Sequence, residues 1–438
     1  MKTFKPRNIL AIRPDAIGDC MLITPALRLL KESYPDCRIT VLVQDYTRPL
    51  FETNPDVDEI MLVTRKRKML YQLRSAHFDT SLHFFDEPEY AGLARKAGIK
   101  HRIGYGSKPL VRWMYTHRVK QHCQDLNKHV IEQHCGLLEP MGIQVKDIPP
   151  MRLVPDKGLT LPVDIDPNGF TVAIHPTTGK GNKAWLPERY AQVVDHLMQE
   201  KKANVIITGS EKEKPAAEKL LKLCKSKPVD LTGKTSLKQM ILLLSKVKLY
   251  VGGDTGPMHM SAALGIPVAA IFPSKLVKPT FWGPWKTRNV IVRRSEQCSL
   301  KCLPSKCLFD TCAKVISARD VTGAINTLLE GGTSDWLKAS MNILTNSEDV
   351  FRELHINGYS AYRIKMVNNL PDMIKSIIKD DINVIHWVGS SKPLFLRIAS
   401  QLSSPSLSVP PLLVFDKSPK RRGFKELVEL YSGGMKKR

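Results

Sequence analysis

The sequence predicts an α/β protein of two doubly wound parallel-sheet domains with a smaller α/β appendage behind them. Three observations carry that expectation. The first fifty residues read strand, turn, helix, strand. After a proline-rich stretch the same alternation restarts more clearly. Two strand-like runs, KLYV and IPVAAIFP, bracket a glycine-rich turn and a helix, GGDTGPMHMSAALG at 252–265. Units of the βαβ kind build parallel sheets and leave ligand sites at the carboxyl ends of the strands. The chain has 438 residues, enough for two or three domains. The expected division is 1–155, 165–332 and an appendage at 336–438.

The elements follow in chain order. NILAIRP is a short apolar strand stopped by proline, and RITVLVQ is a β-branched buried strand. Between them Leu22, Ile23, Ala26, Leu27 and Leu30 recur with helical spacing, so a single helix is expected over Asp19 to Leu30. FDTSLHFF at 78–85 reads as a strand. Pro149 to Pro167 has few periodic apolar residues and reads as the interdomain linker. Then come GFTVAIHP as a strand, Pro187 to Gln199 as a helix, ANVIITGS as a strand, and helices over Glu211–Cys224 and Leu237–Ser245. KLYVGG, the quoted turn and its helix, PVAAIFP, and a helix over Ala318–Leu329 complete the second domain. In the appendage NVIHWVGS and LSVPPLLVFD read as strands.

Composition bounds the function. Apolar residues at 42% and charged residues at 25% are ordinary for a globular chain. No apolar run approaches the roughly 20 residues of a membrane span, and Arg13 and Asp15 interrupt the only apolar stretch near the N-terminus. A cytoplasmic address is expected, and nine cysteines in a chain this long do not suggest a disulfide scaffold. The formal net charge is +24, which points to an anionic partner. Arg95, Lys96, Lys100, Arg102, Lys108, Arg112, Arg118 and Lys120 follow one another with no acidic residue between; RKRK at 65–68 and KRR at 420–422 add two knots. A nucleic-acid-binding protein is the alternative of another class. Against it, the basic runs are not interleaved with stacking aromatics and no nucleic-acid motif is present.

The turn at 252–265 carries chemistry. Gly252, Gly253 and Gly256 suit unusual backbone and close approach of a ligand. Pro257 fits a first helical turn, where its missing N–H costs nothing. The helix start then offers a phosphate site. Asp254 is expected to cap backbone N–H groups and brace the loop. On composition alone a ligand-free strand-to-helix turn is equally open. Two companions raise the odds of a nucleotide site: HPTTGKGNKAW at 175–185 and GSEKE at 209–213, each after a strand. LTGKTS at 231–236 is no P-loop, because the required first glycine falls at Pro228, and no G-x-G-x-x-G follows the first strand.

Asp15 and Asp19 stand at the end of the first strand, where a carboxylate can act as a general base or merely cap a helix. Cys298, Cys302, Cys307 and Cys312 are a candidate structural zinc set. Their spacing lacks a paired C-x2-C knuckle, and no metal is expected to be required. None of the histidines forms an H-E-x-x-H pair, so none is assigned a catalytic metal.

Three stretches in order, IRPDAIGDCMLITPALRLLKESYP, HPTTGKGNKAWLPERYAQVV and GGDTGPMHMSAALGIPVAAIF, resemble the motifs of glycosyltransferase family 9, the ADP-heptose:lipopolysaccharide heptosyltransferases. The resemblance spans about residues 8 to 330 and leaves the appendage uncovered. It implies a GT-B fold, two Rossmann-like domains facing a cleft. It implies an inverting transfer from ADP-heptose to a hydroxyl of the lipopolysaccharide inner core, without a cofactor. By position it makes Asp19 the catalytic base, Lys183 the diphosphate-binding lysine, Thr255 and Gly256 backbone donors to phosphate, with Thr178 close by, and Glu213 a ribose ligand. Asp254 and His259 complete the signature with structural roles. The implied partners are an anionic glycolipid, lipid A with inner core, and the cytoplasmic membrane face, with no nucleic acid. A GT-B enzyme using another nucleotide-sugar or acceptor is the nearest alternative.

Overall fold

A computed structural model describes residues 4–119, 128–177, 184–274, 277–293, 313 and 316–331, together with the backbone of five strands beyond them. The strands are β1 (Asn8–Ile12), β2 (Arg38–Val43), β3 (Glu59–Leu62), β4 (Thr80–His83), β5 (His101–Gly104), β6 (His117–Arg118), β7 (Thr171–His175), β8 (Asn204–Ile207), β9 (Val229–Asp230), β10 (Leu249–Gly253), β11 (Val268–Ile271), β12 (Asn289–Arg293), β13 (Ser334–Lys338), β14 (Asn342–Thr345), β15 (Arg363–Met366), β16 (Val384–Val388) and β17 (Leu412–Asp416). The helices are α1 (Ile17–Met21), α2 (Thr24–Ser33), α3 (Lys66–Ser75), α4 (Pro88–Lys96), α5 (Pro109–Arg112), α6 (Val130–Gly136), α7 (Pro187–Gln199), α8 (Lys214–Leu223), α9 (Leu237–Lys246), α10 (Gly256–Ala263), α11 (Pro279–Trp282) and α12 (Ala318–Leu329).

The strands form three sheets. The first runs β3-β2-β1-β4-β5-β6, the second β13-β12-β11-β10-β7-β8-β9, and the third β15-β14-β16-β17. Every pairing of the first sheet is parallel, as the βαβ pattern requires. So is the β7–β10 pair, which sets His175 beside Gly252. The fold is thus α/β with two Rossmann-like sheets, the GT-B class, and the third sheet is the parallel core of the appendage.

The residues cluster into two compact units. One comprises Met1–His175, Leu231–Val268 and Lys278–Arg288; the other Pro176–Asp230, Ala269–Val277 and Asn289–Arg438. In the first, β1 is sealed by Ile9, Leu10, Ala11 and Ile12, all buried. In the second, α7 and α12 pack together, and Trp185 donates its indole N–H to the Ile316 carbonyl at 3.0 Å.

Local rules explain most boundaries. Pro187 enters the first turn of α7, and α12 starts on a Ser317–Asp320 capping box. The single helix expected over Asp19–Leu30 is two. Pro25 has no N–H to give the Met21 carbonyl, which takes the Thr24 hydroxyl at 2.8 Å instead, and the chain restarts as α2. The helix expected from Glu211 begins as a 3₁₀ turn, Glu211–Glu213, because the Ser210–Glu213 capping box closes that turn; α8 then runs to Leu223.

Candidate active site

In the first unit two strand ends meet. β1 leads through Arg13–Ala16 into α1, and β10 leads through Asp254 and Thr255 into α10. The two short helices pack directly against each other. Their approach requires glycine on both sides. A Cβ on Gly256 would stand 2.7 Å from the Ile17 side chain, and one on Gly18 would stand 2.8 Å from the His259 ring. Gly252, Gly253 and Gly256 do not take left-handed backbone; Gly252 is small because Tyr250 Oη and the His175 carbonyl crowd it. Gly252 and Gly256 serve protein packing, and none of the three takes the unusual backbone expected of them.

The α1 turn is a knot of charge around one buried guanidinium. Arg13 is 6% exposed. Its Nε lies 3.0 Å from Asp15 Oδ1, one terminal nitrogen bonds Asp19 Oδ1, and the other donates to the Phe84 carbonyl. Burial pushes the Asp15 carboxyl up to about 6, Arg13 pulls it down and Asp19 adds to the rise. Asp19 Oδ2 makes no bond among the described residues. Tyr46 backs the turn with a hydroxyl bond to the Asp15 carbonyl at 2.9 Å, as does Gln44 to the Pro14 carbonyl at 3.2 Å. Cys20 lies beneath, its thiol pushed up to about 12 by burial, so it stays protonated at neutral pH.

The α10 turn is built from backbone, one hydroxyl and one carboxylate. Thr255, with extended backbone, is the N-cap. Asp254 does not cap. Its carboxylate faces His259, with Oδ1 3.6 Å from Nε2, past hydrogen-bond range. His259 is 3% exposed, and its Nδ1 has no partner among the described residues. The Thr255 hydroxyl makes only long contacts, 3.4 Å to the Gly253 carbonyl and 3.3 Å to Tyr250 Oη. Pro257 has no N–H, and the Met258 and His259 amides already bond the Thr255 carbonyl. The amides of Thr255 and Gly256 donate to nothing among the described residues. Two free amides at a helix start form a small anion cradle.

Two buried histidines stand nearby, and both are neutral core residues. His129 caps α6, bonds the Gly283 carbonyl at 3.0 Å and leans on Trp285; burial takes it down to about 4. His134 takes the Tyr105 hydroxyl at 2.7 Å, and burial, reinforced by Arg13, holds it well below the usual range.

In the second unit Glu213 ties two strand ends together. Its Oε1 accepts the Thr177 hydroxyl, and its Oε2 accepts the Ser210 amide at 2.7 Å and hydroxyl at 2.8 Å. Thr178, Lys183 and the cysteines 298, 302, 307 and 312 lie outside the described residues. Among the described residues no group of three or more metal-binding side chains gathers, and no helix is long and apolar enough to cross a membrane. Sequence reasoning brought Asp19, Asp254, Thr255, Gly256 and His259 to notice, and the structure puts all five at one junction. It missed Arg13, which looks like a mere interruption of an apolar run. Two acceptors and a second carboxylate around one buried guanidinium become visible only when β4 is placed beside β1.

Comparison with known proteins agrees with this architecture. The family model "Glycosyltransferase family 9 (heptosyltransferase)" matches residues 66–312, which include Glu213 and the α10 turn but not Asp19. A lipopolysaccharide heptosyltransferase 3 of Escherichia coli K12 is 27% identical over 336 residues, 71% of this chain and 95% of that protein. Among solved structures, an E. coli ADP-heptose lps heptosyltransferase II superposes with a TM-score of 0.63 at 22% identity, covering 74% of this chain and 99% of its own. An E. coli heptosyltransferase WaaC with ADP-2-deoxy-2-fluoro heptose gives 0.54 at 18% identity, over 74% and 99%.

Proposed function

This chain belongs to glycosyltransferase family 9, and from that premise we propose that it transfers a heptose from ADP-heptose to a hydroxyl of the lipopolysaccharide inner core, inverting the anomeric centre. One observation carries the reading: a carboxylate with a free oxygen, Asp19, sits on a helix packed against the two unbonded amides of Thr255 and Gly256. The first is a proton acceptor and the second an anion cradle, and sugar transfer from a nucleoside diphosphate needs both.

Asp19 Oδ2 takes the proton of the acceptor hydroxyl as that oxygen attacks the anomeric carbon. The bond from that carbon to the diphosphate oxygen breaks on the opposite face, and ADP leaves carrying the electron pair. Negative charge grows on the diphosphate as it leaves. The Thr255 and Gly256 amides and the α10 dipole stabilise it, joined by Lys183 and Thr178 in this proposal. Arg13 fixes the Asp19 carboxylate through Oδ1 and leaves Oδ2 for the substrate. His259, beneath Gly18, keeps the two turns in register. Glu213 is assigned the ribose through its position beside Thr177 and Ser210. The acceptor domain is placed at 1–155, the nucleotide domain at 165–332 and the appendage at 336–438, with the enzyme working on the cytoplasmic membrane face. The +24 charge and the heptosyltransferase relatives support an anionic, lipid-borne acceptor.

Nucleotide preference tests the donor. With ADP at about 100 times its dissociation constant, the fold gains roughly 2.7 kcal/mol, a clear rise in melting temperature. A rise with UDP or GDP and none with ADP discards the ADP-heptose donor while leaving the fold class intact.

A further inference from the structure

Outside the carboxylate knot, one surface of the first unit combines features that a water-facing surface avoids. α5 is four residues long, and its inward residue Val111 is buried against Ala91 of α4 and against Tyr115, with Met114 beside them. That anchor turns its neighbours outward. Leu110 is 58% exposed and Trp113 is 59% exposed, two large apolar side chains on one short projection. The cations of the same stretch are exposed as well: Arg95, Lys96, Lys100, Lys108, Arg112 and Arg118. No acidic residue lies between Arg95 and Lys120. The acidic neighbours on α4 and just before it are already engaged, Glu87 by Lys108 at 3.2 Å and Glu89 by Lys66 at 3.3 Å.

We propose that Leu110 and Trp113, together with the exposed cations of this stretch, are the surface on which the protein docks to an anionic lipid bilayer. Tryptophan and leucine beside arginine and lysine form the combination that settles at the boundary of headgroups and acyl chains. There the apolar groups insert and the cations meet lipid phosphates. A nucleic acid fits less well. One face of Trp113 is already covered by the Arg95 guanidinium, 4.3 Å from the ring centre, and Leu110 has no surface on which a base could stack. A free phosphorylated sugar would use the cations and leave both apolar groups wet.

One ring links the patch to the candidate active site: the Phe85 ring centre lies 5.8 Å from Arg13 and 5.7 Å from Lys108. For its purpose the inference rests on the reading of a lipid-borne acceptor, but vesicle binding is measured without donor, acceptor or turnover. The two therefore fail separately.

The test is flotation of the full chain with vesicles of phosphatidylcholine alone or with about 30% phosphatidylglycerol, the anionic lipid supplying the negative surface potential. Binding is expected to the mixed vesicles and not to phosphatidylcholine alone, and to weaken steeply at about 1 M salt, where the Debye length is about 3 Å. Leu110→Ser with Trp113→Ser is expected to lower vesicle affinity by about tenfold or more, through the lost apolar insertion. Arg112→Glu is expected to lower it as well, and all variants should melt like the parent, because none of these side chains is buried. Equal binding of parent and double-serine variant, no binding to the mixed vesicles, or binding only when lipopolysaccharide is present would each overturn the proposal. So would conversion of a dimer to a monomer by the double substitution, which would make the patch a contact between two copies.

Discussion

The turns after β1 and β10 have the same local plan and opposite chemistry. Each leaves the end of a parallel strand and enters a short helix, and each depends on a glycine for close approach to the other. The β1 turn gathers two carboxylates around a buried guanidinium. The β10 turn sets its one carboxylate against a histidine and leaves two backbone amides without a partner among the described residues. A proton acceptor needs a charged side chain held still. An anion cradle needs backbone dipoles left free. One junction supplies both because neither turn attempts the other's task.

Removing the guanidinium breaks the first turn most severely. Arg13→Met leaves Asp15 and Asp19 without their partner and the Phe84 carbonyl without its donor. Breaking a buried pair in this way costs about 3–5 kcal/mol, with the lower end expected because both carboxylates are a quarter exposed. Chemical denaturation of both proteins reads the difference.

Titration reads the burial of Asp15 in that turn. The Asp15 pKa is about 6 when folded and near 3.8 when unfolded, so the folded state binds more protons between those values. The Asp15 contribution to stability is greatest below about pH 4 and is lost as pH rises through 6. It is worth on the order of 3 kcal/mol across that window. The wild type should therefore lose stability relative to Asp15→Asn as pH rises from 4 to 7. His129, depressed to about 4, acts in the opposite direction in both proteins and cancels in the difference. A flat difference between the two stability curves would mean that Asp15 is not desolvated.

Crowding at the junction gives a smaller effect. Gly256→Ala drives a methyl group into Ile17 and should cost about 1–3 kcal/mol. In the Ile17→Ala background much of that cost should disappear, a coupling that a double-mutant cycle measures. The smallest effect belongs to Cys20. Its thiol is buried and protonated, so Cys20→Ala should alter turnover little, and Cys20 should resist thiol-alkylating reagents in the folded enzyme.

The sequence disclosed these features unevenly, for physical reasons. α7 was legible to the residue because a proline marks its start, and α12 closely so. The alternation of the two main sheets was legible because buried parallel strands are continuous apolar runs. The break before α2 was hidden, since helical periodicity continues through Leu22 and Ile23 while the hydrogen-bond ladder stops at Pro25. The glycines of the α10 turn were visible, but the Ile17 and Tyr250 side chains facing them come from the fold. Glu213 was visible in the run GSEKE after a strand, but its bonds to Thr177 and Ser210 come from the fold. Arg13 is opaque in sequence because its partners include a carbonyl 71 residues away.

The most direct test of the central claim compares Asp19→Asn with the parent in two assays, ADP release from ADP-heptose with a lipopolysaccharide-core acceptor, and ADP affinity by calorimetry. A general base contributes about 10²- to 10⁴-fold to rate. Turnover in Asp19→Asn should fall by that much with ADP affinity unchanged, because the cradle belongs to the other turn. Full turnover in Asp19→Asn, or turnover and ADP binding lost together, would contradict the division of labour between the two turns.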